Sequence, residues 1–373
     1  MLILDQLKTH FQAYVWKHVL SILLGLMLLR EAKTLTALQS TESVPTLSRT
    51  LNVYTWPLEE VKAARLQLIR AALQHHSEHS RGPKPPVYLI LDDTVLPKRG
   101  KKLPYLGFHY ASSQDRVVCG YDLVCAAVRV GSFTAPWDWR CYVNECFLAE
   151  EDFRKRTELA AELIRGFVPP LEGKVIVLAD STFCCAPVIR AAHERGFAVI
   201  GWVKKNRRLA EGRRAWDVPE ETIACLEGLE IPVKIVHRGR GKRRRTVICT
   251  DPQFSRSAIL RHLKRRWSIE VMFRLTKEQF GLGECRCRGE ASLERWVELV
   301  CLAYALVGLT RWGKQLVKRE WSWLEVRQQW GESLITRSTE VIGWFAILAR
   351  LLLWSSSFFS PYSRPEQEVL LAP

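Results

Sequence analysis

Three carboxylates stand where phosphate or metal chemistry could use them. Glu270 lies in RHLKRRWSIEVMFRLTKEQFGL, Arg261–Leu282, a run of good helix formers with no Gly or Pro before Gly281. It reads as one helix. At about 100° per residue, positions i−4, i+4 and i+7 share a face, so Arg266, Arg274 and Lys277 line the side that carries Glu270. Trp267, Ile269, Met272, Phe273 and Leu275 cover much of the rest and predict a well-buried helix. Such a pattern usually means a solvated face with ion pairs worth ~0.2–0.5 kcal/mol each. A surplus of cations beside one acid on an otherwise apolar helix also suits a site that handles a polyanion or a metal-bound phosphate. Asp92 and Asp180 shift the balance. Each follows the last apolar residue of a short strand-like run, VYLIL (Val87–Leu91) and KVIVLA (Lys174–Ala179). Open α/β sheets build their sites at the carboxyl ends of strands. One aspartate there is usually a turn or cap residue. Two of them, with a lone acid on a cation-lined helix, point to a shared site.

The elements that must position these groups follow from pattern. The first 80 residues read as helical, through Val19–Leu29, then Leu35–Ser40 and Thr46–Leu51 about a turn at Ser43-Val44-Pro45, then Leu58–His75. The middle pair permits a helix-turn-helix offering Ser48 and Arg49 to DNA, and equally an ordinary helical pair. The polar, Pro-containing stretch His76–Pro86 marks a boundary. Beyond it, Val87–Leu91, Arg116–Arg129, Asp138–Leu148, Lys174–Ala179 and Phe197–Val203 read as strands, with Gly120 and Gly131 near turns. Helices are expected at Glu150–Gly166 and at Ala186–Arg195, the latter closed by Gly196. Buried strands alternating with helices indicate a mixed α/β sheet. Residues Lys204–Pro252 read as a basic β-rich insertion, in which Val233–Val236 and Thr246–Thr250 form a hairpin with HRGRGKRRR at its tip. Helices are expected again at Leu293–Trp312, Trp321–Trp330 and Ser338–Trp354, before a loose tail, Pro361–Pro373.

Charge names the class of partner. Of 373 residues, 55 are Lys or Arg and 39 Asp or Glu, a net +16. The excess is clustered at Lys98–Lys102, Lys204–Arg208, Arg238–Arg245 and Arg261–Arg266, as a phosphate backbone would require. The apolar run Val19–Leu29 is too short to span a bilayer and lacks a following cleavage site, and Val341–Trp354 is interrupted by Arg350; both read as core helices. The 11 cysteines are scattered, and their close pairs, Cys184–Cys185 and Cys285-x-Cys287, do not have zinc-site spacing. Free thiols in a reducing compartment are expected.

Three blocks together resemble a known family. They are LILDDTVLPKRGKK (Leu89–Lys102) with a following VCGYDLV run (Val118–Val124), VIVLADSTF (Val175–Phe183), and the Glu270 helix. In this order they resemble the DDE transposases of bacterial insertion sequences, whose catalytic core is RNase H-like. The helix is similar to a Tyr-x2-Arg-x3-Glu-x6-Lys signature of one large group: Arg266, Glu270 and Lys277 match, and Leu263 stands at the tyrosine position. The likeness covers roughly residues 85–310.

The resemblance implies an RNase H-like mixed sheet flanked by helices, with four regions: a helical DNA-end-binding domain (1–80), a catalytic core (85–203 and 254–312), the basic insertion (204–253) and a C-terminal helical region (313–373). It implies that Asp92, Asp180 and Glu270 are catalytic and hold two Mg2+ ions, for which Mn2+ can substitute. The family's Asp-x-Thr pattern favours Asp92 over Asp93. It implies phosphate contacts by Arg266, Arg274 and Lys277, by Lys204, Lys205 and Arg207, by Arg243, Arg244 and Arg245, and by Lys98 and Arg99. The expected partner is double-stranded DNA, both transposon ends and target, bound by a homodimer. No nucleotide cofactor and no membrane are expected, and the compartment is the cytoplasm, at the nucleoid. Two other readings stay open: a non-catalytic, domesticated DNA-binding protein, and an RNase H-like nuclease.

Overall fold

The computed structural model describes residues 7–29, 33–37, 42–79, 82–99, 103–111 and 115–316, together with residue 4 and scattered positions between 322 and 330. Its N-terminal part includes, among the described residues, the helices α1 (Ala13–Leu28), α2 (Val44–Asn52) and α3 (Leu58–His79). Ser43 caps α2 by accepting the Thr46 N–H, and Pro45 sits in its first turn, where the missing N–H costs nothing. The expected turn at Ser43-Val44-Pro45 is therefore the start of the second helix. Of its partner, residues 35–37 form a turn, and residues 38–40 lie outside the described residues.

Nine strands form one mixed sheet: β1 (Val87–Pro97), β2 (Gly107–Ala111), β3 (Arg116–Val130), β4 (Phe133–Tyr142), β5 (Val175–Ala179), β6 (Ala198–Val203), β7 (Ile223–Cys225), β8 (Pro232–Arg238) and β9 (Arg245–Cys249). Their order is β2-β3-β1-β5-β6-β9-β8-β7, with β4 also paired to β3. The centre, β1, β5 and β6, is parallel and apolar. Both Val87–Leu91 and Val175–Ala179 are buried throughout, as parallel strands covered on both faces require. The long β3 runs antiparallel to β1, and its other edge is shared by β2 and β4.

Several boundaries differ from expectation. β1 does not stop before Asp92. It continues to Pro97 because β3 supplies partners along its whole length. The strand expected at Asp138–Leu148 begins earlier, at Phe133, and gives way to a 3-10 turn at Glu145–Phe147. Gly120 lies inside β3, whereas Gly131 takes the positive φ of the β3–β4 turn. Residues 150–152 form a turn, residues 153–155 are irregular, and the helix α4 spans only Arg156–Arg165. The basic β-rich stretch joins the main sheet: β9 pairs with β6, and β8 and β7 follow in order.

Helices flank the sheet. α4 packs on β3 and β4 and on α5 (Ala186–Glu194), and α5 packs on β6. The expected single helix over Arg261–Leu282 starts earlier, at α6 (Arg256–Leu263), where Ser255 accepts the Ala258 N–H. It tightens to a 3-10 turn at Lys264–Arg266 and continues as α7 (Trp267–Gln279), with right-handed backbone at the joints. Gly281, at φ 79°, ends it; a Cβ there would lie 2.7 Å from Lys33 Cβ. α7 packs on β1 and β4. The long α8 (Glu290–Leu316) packs on β4 and on all three N-terminal helices. Arg65 of α3 ties this junction together in full burial. Its Nε donates to Glu298 Oε1 at 2.5 Å, and its terminal nitrogens donate to the Pro136 and Trp137 carbonyls. Within Trp321–Trp330, residues 323, 325–327, 329 and 330 are helical; Ser338–Trp354 and the tail lie outside the described residues. No helix among the described residues is long and apolar enough to cross a membrane.

Candidate active site

The parallel pairing of β1 with β5 ends at Leu91 opposite Ala179, so Asp92, still within β1, and Asp180, just past the end of β5, follow the last paired residues of adjacent strands. Asp180 is oriented by its own backbone: Oδ1 accepts the N–H groups of Thr182 at 2.9 Å and Phe183 at 3.0 Å, a turn that aspartate forms readily. Asp92 Oδ1 accepts the Asp93 N–H at 3.0 Å, leaving Oδ2 for another partner. That partner is Arg266, whose Nη1 donates to Oδ2 at 3.1 Å while its Nη2 donates to Glu270 Oε1. One guanidinium thus joins the strand-borne acid to the helix-borne acid. Burial, then the nearby Asp180 charge, pushes the Asp92 carboxyl from its ordinary 3.8 up to about 7, against the pull of Arg266. The site is short of positive charge even with Arg266 in it.

Asp93 belongs to a different group. Neighbours on a strand point to opposite faces, and burial followed by the charge of Asp122 raises its pKa. Asp122, fully buried on β3, accepts a bond from Arg156 Nε, and Arg156 Nη2 lies 2.9 Å from His109 Nδ1. The same guanidinium stacks 4.1 Å over the Tyr142 ring.

Hard carboxylate oxygens are the donors a Mg2+ ion prefers, and the raised Asp92 pKa marks a place that favours added positive charge. The spacing is not that of a closed cage: among the described residues no group of three or more His, Cys, Asp or Glu could hold an ion as it stands. Arg266 occupies the position between Asp92 and Glu270.

The cations are unequally placed. Arg266 is engaged with the acids, Lys277 donates from Nζ to the Val95 carbonyl at 3.1 Å, and Arg274 is exposed. Lys204 and Arg207 line a cavity of about 310 Å³ with Ser181 and Thr182, directly beyond Asp180. Lys205 and Arg244 both flank the Trp216 ring, at 4.6 and 5.4 Å, so the Lys204–Arg208 run and the hairpin tip meet there. Arg243 and Arg245 are exposed beside them. Lys98 is turned inward, donating to the Cys285 carbonyl with its ammonium over the Tyr121 ring, whereas Arg99 is exposed. Leu263, at the signature tyrosine position, is buried.

Two family models match. One, described as a DDE superfamily endonuclease, covers residues 6–223, more than half the chain, and includes Asp92 and Asp180. The other, a transposase DDE domain, covers 154–306 and includes Asp180 and Glu270. The chain belongs to the DDE superfamily of transposases and endonucleases. A solved structure of similar fold is a piggyBac transposase synaptic complex with hairpin DNA, at 11% identity and TM-score 0.51, covering 97% of this chain and 82% of that one. No curated protein sequence matches the chain.

Within this DDE-superfamily chain the sequence reading missed two sets of residues. The buried Asp122–Arg156–His109 group gave no signal because its members come from three separate elements. Tyr88, on β1, reaches His262 Nδ1 at 2.8 Å, beside the leucine that replaces the signature tyrosine. Only the exception of a polar ring inside an apolar strand run hinted at it.

Proposed function

We propose that the chain is a transposase that binds the ends of an insertion sequence and catalyses DNA cleavage and strand transfer with Asp92, Asp180 and Glu270. One observation carries this reading: Asp92 and Asp180 follow the last paired residues of the adjacent parallel strands β1 and β5, and Arg266 joins Asp92 to Glu270. Asp92 is the first ligand in this reading, since Arg266 bonds to it and Asp93 belongs with Asp122. Asp92 would hold two Mg2+ ions, and Asp180 and Glu270 one each; Mn2+ would substitute. When bound, the ions supply an activated oxygen nucleophile and neutralise charge on the phosphate under attack.

The remaining work falls to this chain's own side chains. The turn at Asp180 fixes the orientation of its carboxylate through the Thr182 and Phe183 N–H groups. Lys277 fixes the far end of α7 to β1, so that Glu270 and Asp92 stay in reach of each other. Arg266 balances the charge of Asp92 and Glu270, and with those acids otherwise neutralised its guanidinium would be free to pair with a DNA phosphate. Lys204, Lys205, Arg207, Arg243, Arg244 and Arg245 hold the backbone of the flanking duplex, and Arg274 and Arg99 extend that contact. A homodimer would pair two DNA ends.

The test is a cleavage and joining assay on DNA that carries the element's ends, with Mg2+ present. Wild type should cut and join, and Glu270→Gln should bind the same DNA without cutting it. Binding without cleavage in both proteins would instead support the non-catalytic DNA-binding reading.

A further inference from the structure

The loop between α7 and α8 carries a pair of thiols that DNA cleavage does not call on. It reads Cys285-Arg286-Cys287-Arg288, and its backbone is irregular. Burial alternates along it: both cysteines are buried and both arginines exposed. Alternation at a spacing of two turns the two thiols to the same, inward side. Their sulfurs lie within hydrogen-bonding reach of each other. The loop is held on both sides of the pair. Lys98, just past the end of β1, donates to the Cys285 carbonyl and lies beside the Cys285 sulfur. At the other end the Gly289 N–H donates to Ser292 Oγ at 3.2 Å.

Charge separates this pair from other buried thiols. Burial pushes the Cys249 and Cys301 thiols up to about 12. Cys184 and Cys185 are consecutive, and burial raises both. Cys285 is held below the usual thiol value, first by its bond with Cys287 and then, against burial, by the Lys98 charge. Cys287 is held above it by the same bond. Two sulfurs thus share one proton beside a fixed ammonium. One is a nucleophile, and the other keeps a proton for a leaving group.

We propose that Cys285 and Cys287 are a redox-active dithiol, oxidised by a hydroperoxide to a disulfide, with Lys98 activating Cys285. The Cys285 thiolate attacks one peroxide oxygen and the O–O bond breaks. The hydroxide expelled takes up a proton and leaves as water. Cys285 is then a sulfenic acid, which condenses with a neighbouring thiol. The Cys287 sulfur attacks the Cys285 sulfur, the S–O bond breaks, and the Cys287 proton leaves with that hydroxide as a second water. The dithiol gives up two electrons, and hydrogen peroxide is reduced to two waters. The bond tightens the loop that joins the Glu270 helix to α8. Neither DNA nor metal takes part, so its absence would leave the transposase reading standing.

The experiment treats the full chain in EDTA with a small excess of hydrogen peroxide, blocks the remaining thiols with iodoacetamide, and reads tryptic peptides by mass spectrometry. Trypsin cuts after Arg286, between the two cysteines, so the disulfide appears as residues 278–286 joined to residues 287–288. In wild type this linked species should form before the exposed Cys146 is oxidised, and dithiothreitol should release it. Lys98→Met should slow its formation roughly tenfold, the effect of about one pKa unit on the thiolate. Lys98→Arg should keep most of the rate. Wild type in which Cys285 and Cys287 are both alkylated after Cys146 has been oxidised would overturn the proposal. So would a disulfide from either cysteine to a different one, or an unchanged rate in a folded Lys98→Met protein.

Discussion

Arg266 is the residue on which the proposed site turns. Its fork bonds to Asp92 and Glu270 at once, and it is largely buried while doing so. A guanidinium between two carboxylates offsets their repulsion much as a divalent cation would, and its charge lowers the Asp92 pKa against burial and Asp180. Two outcomes follow. Asp92 must lose its proton to bind metal, so Mg2+-dependent cleavage should rise with pH through an acid limb at about 7. Arg266→Ala removes a cation and should move that limb upward, seen in a pH–rate profile; an unmoved limb would assign it to another group. The sign for stability is opposite. The folded state holds the Asp92 proton more tightly than an ordinary carboxyl of pKa 3.8 does, so the metal-free protein should lose stability as pH rises from there to about 7. Thermal melts in EDTA across that window check it.

At the scale of elements, the apolar runs were legible and the pairings were not. The buried strands Val87–Leu91, Val175–Ala179 and Ala198–Val203 stand out because parallel central strands are continuously apolar. Asp92 sits past the last of these apolar residues, yet inside the strand, since the antiparallel partner β3 is invisible to local pattern. The same limitation hid the link from β9 to β6, which makes the hairpin part of the sheet. The 3-10 turn at Lys264–Arg266 leaves helical spacing nearly intact, which is why Arg266 and Glu270 fell correctly on one face. Neither Asp122 nor Arg156 could be singled out, because their meeting depends on α4 docking on β3. Arg65 is a comparable case on the other side of the molecule: a basic residue in a mixed helix that proves fully buried against Glu298. Arg65→Ala would leave that carboxylate unpaired in the interior, at a cost of about 3–5 kcal/mol. Denaturant unfolding should show the loss, and a change below about 1 kcal/mol would mean that water reaches Glu298.

Across the whole molecule, part of the excess positive charge is gathered beside the candidate site. The hairpin tip and the Lys204–Arg208 run meet at Trp216, and Lys204 and Arg207 line a cavity with Ser181 and Thr182, next to Asp180 in the chain. Neutralising Arg243, Arg244 and Arg245 together should therefore weaken duplex binding for all sequences alike. It should reduce the log–log salt slope by about 0.9 for each phosphate that the chain no longer neutralises. Arg244 also donates to the Val218 carbonyl and stacks on Trp216, so it contributes less freely than its exposed neighbours. An unchanged slope in a salt titration would place the duplex elsewhere.

The most direct test of the three-carboxylate site is a parallel cleavage assay with Mg2+ on DNA bearing the element's ends, using Asp92→Asn, Asp93→Asn, Asp180→Asn and Glu270→Gln. The Asp92, Asp180 and Glu270 variants should each lose cleavage by roughly a hundredfold or more while still binding DNA. Asp93→Asn should retain it. Full activity in any of those three variants, or loss in Asp93→Asn with activity kept in Asp92→Asn, would contradict the assignment.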